Sequence, residues 1–324
     1  MSAPVAAIDC GTNTIKLLIG TLPEDPGAPM DVAVREMRMV RLGQGLDDSG
    51  VIAQEALARA FTALDEYAEL IRAHGAAPDQ GGRVRFVATS ATRDAANADV
   101  FTAGVRDRLG VEPEVVSGAE EAALAFDGAV RNLRDAPGLP VLVVDIGGGS
   151  TELISGASVA APPSAAHSMD IGSVRLHERH LHSDPPTAAE VAACVRDIEA
   201  HLDASPVSPG TAVTVVGVAG TVTTVAAGVL DLPAYSRDAI DQAVLPVADV
   251  HDLVDRLVAM TVDERRALPW MHPGRADVIA AGALILSRVL RRADVTTMVV
   301  SESDILDGIA WSLAAPPAPP AQPA

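Results

Sequence analysis

Two short loops in this 324-residue chain carry residue types that could grip phosphate and a divalent metal. One reads Ala7-Ile8-Asp9-Cys10-Gly11-Thr12-Asn13-Thr14; the other reads Val144-Asp145-Ile146-Gly147-Gly148-Gly149-Ser150-Thr151-Glu152. Each follows an apolar run, opens with Asp, passes through Gly and ends in hydroxyl side chains. Glycine lets backbone N–H groups approach an anion closely, and Ser and Thr hydroxyls add donors. An Asp carboxylate supplies the hard oxygen that Mg²⁺ favours. Having the recipe twice predicts two lobes facing each other across a cleft.

The elements that position these loops follow from periodicity. Val5 to Ile8 and Val141 to Val144 read as buried strands, and the apolar segments after the loops are too short for helices. Each loop therefore joins strand to strand, whereas a Rossmann or Walker loop opens a helix; neither of those motifs occurs. Helices are predicted over 52–74, 97–109, 119–133, 187–204, 222–230, 249–260, 275–292 and 304–313. Strands are predicted over 84–88, 114–116, 212–216 and 297–300, and Thr261-Val262-Asp263-Glu264 reads as a capping box opening a short helix. The Pro-rich stretch over 316–324 reads as a disordered tail. Each half thus repeats one α/β theme, which predicts an internal duplication with a mixed sheet in each half.

Composition bounds the partners. Lys and Arg total 24 against 43 Asp and Glu, a net charge of −19. An acidic surface argues against general binding to nucleic acid or to an anionic membrane. No apolar run reaches the roughly 20 residues that cross a bilayer, and Met1-Ser2-Ala3-Pro4 lacks the basic region of a signal peptide. Two cysteines, Cys10 and Cys194, give no disulfide framework, so a reduced cytoplasmic setting is expected. Lys16 is the sole lysine, and an Arg-rich codon usage accounts for that.

The ordered set of motifs resembles a known family. The two Asp loops with the third turn Gly217-Val218-Ala219-Gly220-Thr221 resemble the sugar kinase, heat-shock chaperone and actin superfamily. Thr89-Ser90-Ala91-Thr92-Arg93, Ser117-Gly118-Ala119-Glu120-Glu121 and Gly172-Ser173-Val174-Arg175-Leu176 narrow the likeness, as do Arg275-Ala276-Asp277 and Asp304-Ile305-Leu306-Asp307-Gly308. With the loops, they resemble the exopolyphosphatase and guanosine-pentaphosphate phosphohydrolase family, and its short two-domain actinobacterial members in particular. The resemblance implies an α/β fold of two ribonuclease-H-like (actin-like ATPase) domains, residues 1–125 and 126–301. Each would be a mixed sheet flanked by helices, with an interdomain cleft between them. The helix over 302–315 is expected to pack back on the first domain.

Residue by residue, the same resemblance implies Asp9, Asp145 and Glu152 as ligands of Mg²⁺ or Mn²⁺, with Glu152 also a second catalytic carboxylate. Thr12, Asn13, Gly147, Gly148, Gly149, Ser150 and Thr151 would donate to phosphate oxygens. Gly220 and Thr221 would border the substrate, and Arg93, Lys16 and Arg275 would clamp it. The Ser117-x-x-Glu120 spacing is a capping box, which explains Glu120 and leaves Glu121 without a structural duty. The resemblance places the catalytic base at Glu121. His177, His180 and His182 fit no familiar zinc spacing and read as an exposed helix face, and Cys10 reads as a small buried filler.

The expectation is an exopolyphosphatase that frees terminal orthophosphate from inorganic polyphosphate by attack of a water activated by Glu121, with closure of the lobes over it. Guanosine pentaphosphate is the rival substrate within the same chemistry. An ATP-dependent kinase would need an acceptor pocket for which no signature is present, and a non-catalytic polyphosphate or alarmone sensor would not need the base. A homodimer is implied by resemblance alone.

Overall fold

The computed structural model describes residues 3–25 and 28–314; the expected tail over 316–324 lies outside them. The chain opens with β1 (Pro4–Cys10), β2 (Thr14–Thr21) and β3 (Asp31–Met39). The short α1 (Leu46–Ser49) and the long α2 (Gln54–Ala73) lead to β4 (Arg83–Ala88), α3 (Ser90–Asp94), α4 (Ala98–Leu109) and β5 (Glu114–Val115). Next come α5 (Gly118–Arg131), β6 (Val141–Ile146), β7 (Thr151–Gly156), β8 (Ala165–Met169), α6 (Ser173–His180) and α7 (Ala188–Ala204). Then follow β9 (Thr214–Val218), α8 (Ala219–Val229), α9 (Arg237–Ile240), β10 (Val244–Pro246), α10 (Val247–Ala259) and α11 (Val262–Arg266). The chain ends with α12 (Ile279–Arg292), β11 (Thr297–Val300) and α13 (Ile305–Ser312).

Two mixed sheets result, ordered β3-β2-β1-β4-β5 and β10-β11-β9-β6-β7-β8. In each, an antiparallel meander is followed by parallel strands, so β1, β2, β3, β4 and β5 correspond to β6, β7, β8, β9 and β11. The two-sheet architecture is the α/β fold read from the sequence. β3 and β8 were not legible there: both flank their sheets, and β3 has no fully buried residue to set an alternating pattern. The helix predicted from 275 begins only at Ile279, because Pro273–Arg275 forms a separate 3₁₀ turn.

Each sheet has its own apolar core, and a third cluster joins them. It unites Ala7, Leu18 and Val87 of the first sheet with Val141, Val143 and Val216 of the second. Helices α5 and α13 lie between, contributing Phe126, Ala129, Ile309 and Ala310. The two helices meet at glycines: a Cβ on Gly308 would overlap the carbonyl of Leu124, and one on Gly128 the carbonyl of Asp304. That close crossing lets one helix pair brace both lobes. The boundary expected between 125 and 126 falls inside α5.

The capping signals split. Thr187 and Thr261 form complete capping boxes with Glu190 and Glu264. At α5 only half of the expected box forms: the Ser117 hydroxyl accepts the Glu120 N–H, while the Glu120 carboxylate turns to Arg85 Nη2 at 2.9 Å. The histidine helix is less exposed than expected. His177 and His180 are half-buried, and His180 Nε2 lies 2.8 Å from Asp197 Oδ2. Cys10 is fully buried inside the first core, as the filler reading required.

Candidate active site

The two loops converge on one cavity of ≈ 80 Å³. Their carbonyls are tied back into the lobes. The Thr12 carbonyl accepts the Gly43 N–H at 2.9 Å, and that of Asn13 accepts the N–H groups of Val40 and Arg41. In the second loop the Gly147 carbonyl accepts the Ser173 N–H at 2.9 Å, and that of Gly148 accepts the N–H groups of Val174 and Arg175 at the start of α6. The Gly149 carbonyl takes Arg175 Nε at 2.8 Å. In a trans peptide the next N–H points opposite to the carbonyl. With the carbonyls engaged by the lobes, the N–H groups of Asn13 and Gly148, two residues that line the cavity, are left without an acceptor among the described residues. Gly172 makes this packing possible, since a Cβ there would overlap the backbone of Gly148.

Around this cradle stand Asp9, Glu121, Asp145 and Glu152, each at most 7% exposed. Asp9 and Asp145 sit at the ends of β1 and β6, while Glu152 lies opposite Asp145 on β7. Glu121 enters from the first turn of α5. Burial pushes its carboxyl up to about 7, with Arg93 pulling the other way. Asp145 and Glu152 are raised by burial and by the surrounding carboxylates, Glu152 despite the hydroxyl of Ser168 at 2.7 Å. Asp9 is raised by burial and held partly in check by Lys16.

Not every expected ligand reaches this cavity. Thr12, Asn13, Lys16, Gly147, Gly148, Ser150, Gly220, Thr221 and Arg275 line it; Arg93, Gly149 and Thr151 do not. Thr151 is fully buried and donates its hydroxyl to the Ile171 carbonyl at 2.7 Å, so it braces β7 rather than a phosphate. Gly149 serves the approach of the lobes, because a Cβ would strike Thr12 Oγ1 and Ser90 Oγ. Arg93 turns to Glu121 and the Val116 carbonyl. Lys16 is held by Asp304 and Asp9, and Arg275 bonds the Gly220 carbonyl and Thr224 Oγ1, bracing the third turn. Lining residues outside the expected set include Ser90, Ser173 and Ala219. Ser90 and Ser173 lay within quoted motifs. Ala219 has φ +65°, a conformation that alanine gives no reason to expect.

The carboxylates suit a hard divalent cation. Asp145 has no hydrogen-bond or ion-pair partner among the described residues, and Asn13 Oδ1 is buried without one. No three His, Cys, Asp or Glu side chains converge as a preformed ligand set among the described residues. Mg²⁺ tolerates that, since it keeps waters and takes one or two carboxylates plus substrate phosphate oxygens.

Duplicated mixed-sheet domains around a cleft lined by glycine loops and buried carboxylates define the actin-like two-domain fold, with a candidate phosphoryl-transfer site in the cleft. The Ppx/GppA phosphatase family matches residues 23–315, and the chain belongs to that family. Exopolyphosphatase 2 of Mycobacterium tuberculosis is 50% identical, over 96% of this chain and 98% of that protein. A solved exopolyphosphatase-like protein superposes with a TM-score of 0.88 at 42% identity, covering 96% of this chain and 98% of the other. The Ppx/GppA family member from Aquifex aeolicus gives 0.79 at 28%, covering 96% and 97%. The protein is accordingly a hydrolase of phosphoanhydride bonds. No helix among the described residues is long and apolar enough to cross a membrane.

Proposed function

We propose that the protein is an exopolyphosphatase releasing terminal orthophosphate from inorganic polyphosphate, with Glu121 as the base. The observation that carries this is the Glu121 carboxyl: buried, raised to about 7, and lining the same cavity as the open N–H groups of the two loops. A base poised near neutral pH combines a sizeable ionised fraction with useful proton affinity. The terminal phosphoryl group would sit against the N–H groups of Asn13 and Gly148 and the hydroxyls of Thr12 and Ser150. Glu121 would orient a water in line and take its proton, and the donors would stabilise the charge on the transferring oxygens. Asp145 and Glu152, with Asp9 alongside, would hold Mg²⁺ or Mn²⁺, which when bound neutralises phosphoryl oxygens as a Lewis acid. A cytoplasmic homodimer acting without nucleic acid or membrane partners completes the reading, and the two buried free cysteines fit a reducing compartment.

Guanosine pentaphosphate remains a second reading, favoured by a neighbouring cavity of ≈ 480 Å³. It shares Lys16, Ala219, Gly220 and Arg275 with the first and adds Met37, Tyr235 and Trp270, a lining suited to a flat base. Phosphate release measured side by side on short polyphosphate, long polyphosphate and guanosine pentaphosphate, with and without Mg²⁺, tests both. Release from the nucleotide alone would overturn the polyphosphate reading.

A further inference from the structure

The two loop hairpins are built alike and charged differently. In the first, Asp9 stands opposite Lys16 across the β1–β2 ladder; in the second, Asp145 stands opposite Glu152 across β6–β7. Directly opposed residues project from the same face of an antiparallel pair. Because the two sheets repeat one strand order, Lys16 and Glu152 occupy equivalent positions of the duplication.

The consequences for charge are opposite. The Lys16 ammonium lies 2.6 Å from Asp304 Oδ2 and 3.3 Å from Asp9 Oδ2. Asp304 uses its other oxygen to accept the Leu306 N–H at 3.0 Å, so this carboxylate is fixed in place as the cap of α13. A cation thus already fills the space between two buried carboxylates on the first hairpin. On the second hairpin Asp145 has no hydrogen-bond or ion-pair partner among the described residues and feels the Lys16 charge only from a distance, and Glu152 has only the neutral hydroxyls of Ser168 and Ser150. Arg93 is engaged by Glu121 and the Val116 carbonyl and supplies no charge there.

We propose that the centre takes a single divalent cation, on the Asp145–Glu152 hairpin, and that the Lys16 ammonium stands where a second ion would otherwise sit beside Asp9. Asp9 then orients Lys16, which narrows the ligand set given above to Asp145 and Glu152. This rests on the metal-assisted reading above and adds the number of ions and the residue that sets it. An ammonium supplies fixed positive charge through three N–H donors and cannot polarise an oxygen by coordination. The reaction would therefore be a one-metal hydrolysis.

The test is Mn²⁺ binding to the full-length protein without substrate, followed by the electron paramagnetic resonance of the free ion. Wild type is expected to bind one ion and Glu152→Gln to bind it at least about tenfold more weakly, a loss of about 1.4 kcal/mol. Lys16→Met is expected to bind two, and Lys16→Arg one. Circular dichroism and thermal unfolding establish that each variant is folded. Two ions on the wild type, or one ion on folded Lys16→Met, would overturn the proposal. If Lys16→Met does not fold, the wild-type count alone decides. No ion on the wild type would instead sink the metal-assisted reading, and this inference with it.

Discussion

Arg93 Nη1 lies 3.2 Å from Glu121 Oε2 and 2.9 Å from the Val116 carbonyl, so a guanidinium anchored on backbone fixes one oxygen of the buried carboxylate. Glu121 itself faces the cavity lined by both loops. Removing its ability to ionise tests the base directly. Glu121→Gln is expected to lower kcat by about 100-fold or more, the usual contribution of a general base. Polyphosphate binding, measured by filter retention, should be largely kept. Turnover within about tenfold of wild type, an effect of about 1.4 kcal/mol, would exclude this role.

Arg93 was expected to clamp phosphate, and its contacts give it a different signature. Burial raises the Glu121 carboxyl and Arg93 opposes that rise. Arg93→Ala should therefore move the acidic limb of kcat/KM to higher pH while leaving KM near its wild-type value. A phosphate clamp would raise KM and leave the limb in place, so a pH profile beside the KM–kcat split separates the two.

Gly172 underlies the seating of the second loop on α6, because a Cβ there would overlap the Gly148 backbone, which has no side chain to move aside. Gly172→Ala is expected to cost about 1–3 kcal/mol, as overpacking does. It should also reduce turnover by tilting the Gly148 N–H group. Urea unfolding and phosphate release measure these separately, and an active variant of wild-type stability would remove Gly172 from this account.

Asp9, Glu121, Asp145 and Glu152 all carry raised pKa values in the folded chain. The metal-free native state therefore binds more protons than the unfolded chain once pH exceeds the ordinary carboxylate range. Its stability is present at acid pH and lost as pH rises through about 7, the value reached by Glu121. The Tm of EDTA-treated protein should fall between pH 5 and pH 8, and the gain on adding Mg²⁺ should be larger at pH 8, where the ligands are ionised. Calorimetry at the two pH values checks this; a Mg²⁺ gain equal at both would contradict it.

Much of the fold was legible because its signals are local. The apolar runs before each Asp-led loop, the short segments after it and the Thr261 cap lie within a few residues of what they determine. The edge strands β3 and β8 were hidden because pairing on a sheet border leaves few buried positions to mark a period. Ala219 was hidden because its left-handed backbone is imposed by the turn around it and not by its own preference.

The sequence alone determined which residues could do the chemistry: two Asp-led glycine loops, and a glutamate left free once Ser117 caps the helix at Glu120. Tertiary structure decided which of them face the substrate. Lys16 meets Asp304 across 288 positions of chain, Arg93 turns to Glu121, and Thr151 is drawn to Ile171. Such pairings depend on how the lobes are braced by α5 and α13, and residue type and spacing do not encode that distance. A side chain able to bind phosphate is equally able to satisfy a buried carboxylate or carbonyl, and packing alone selects between them.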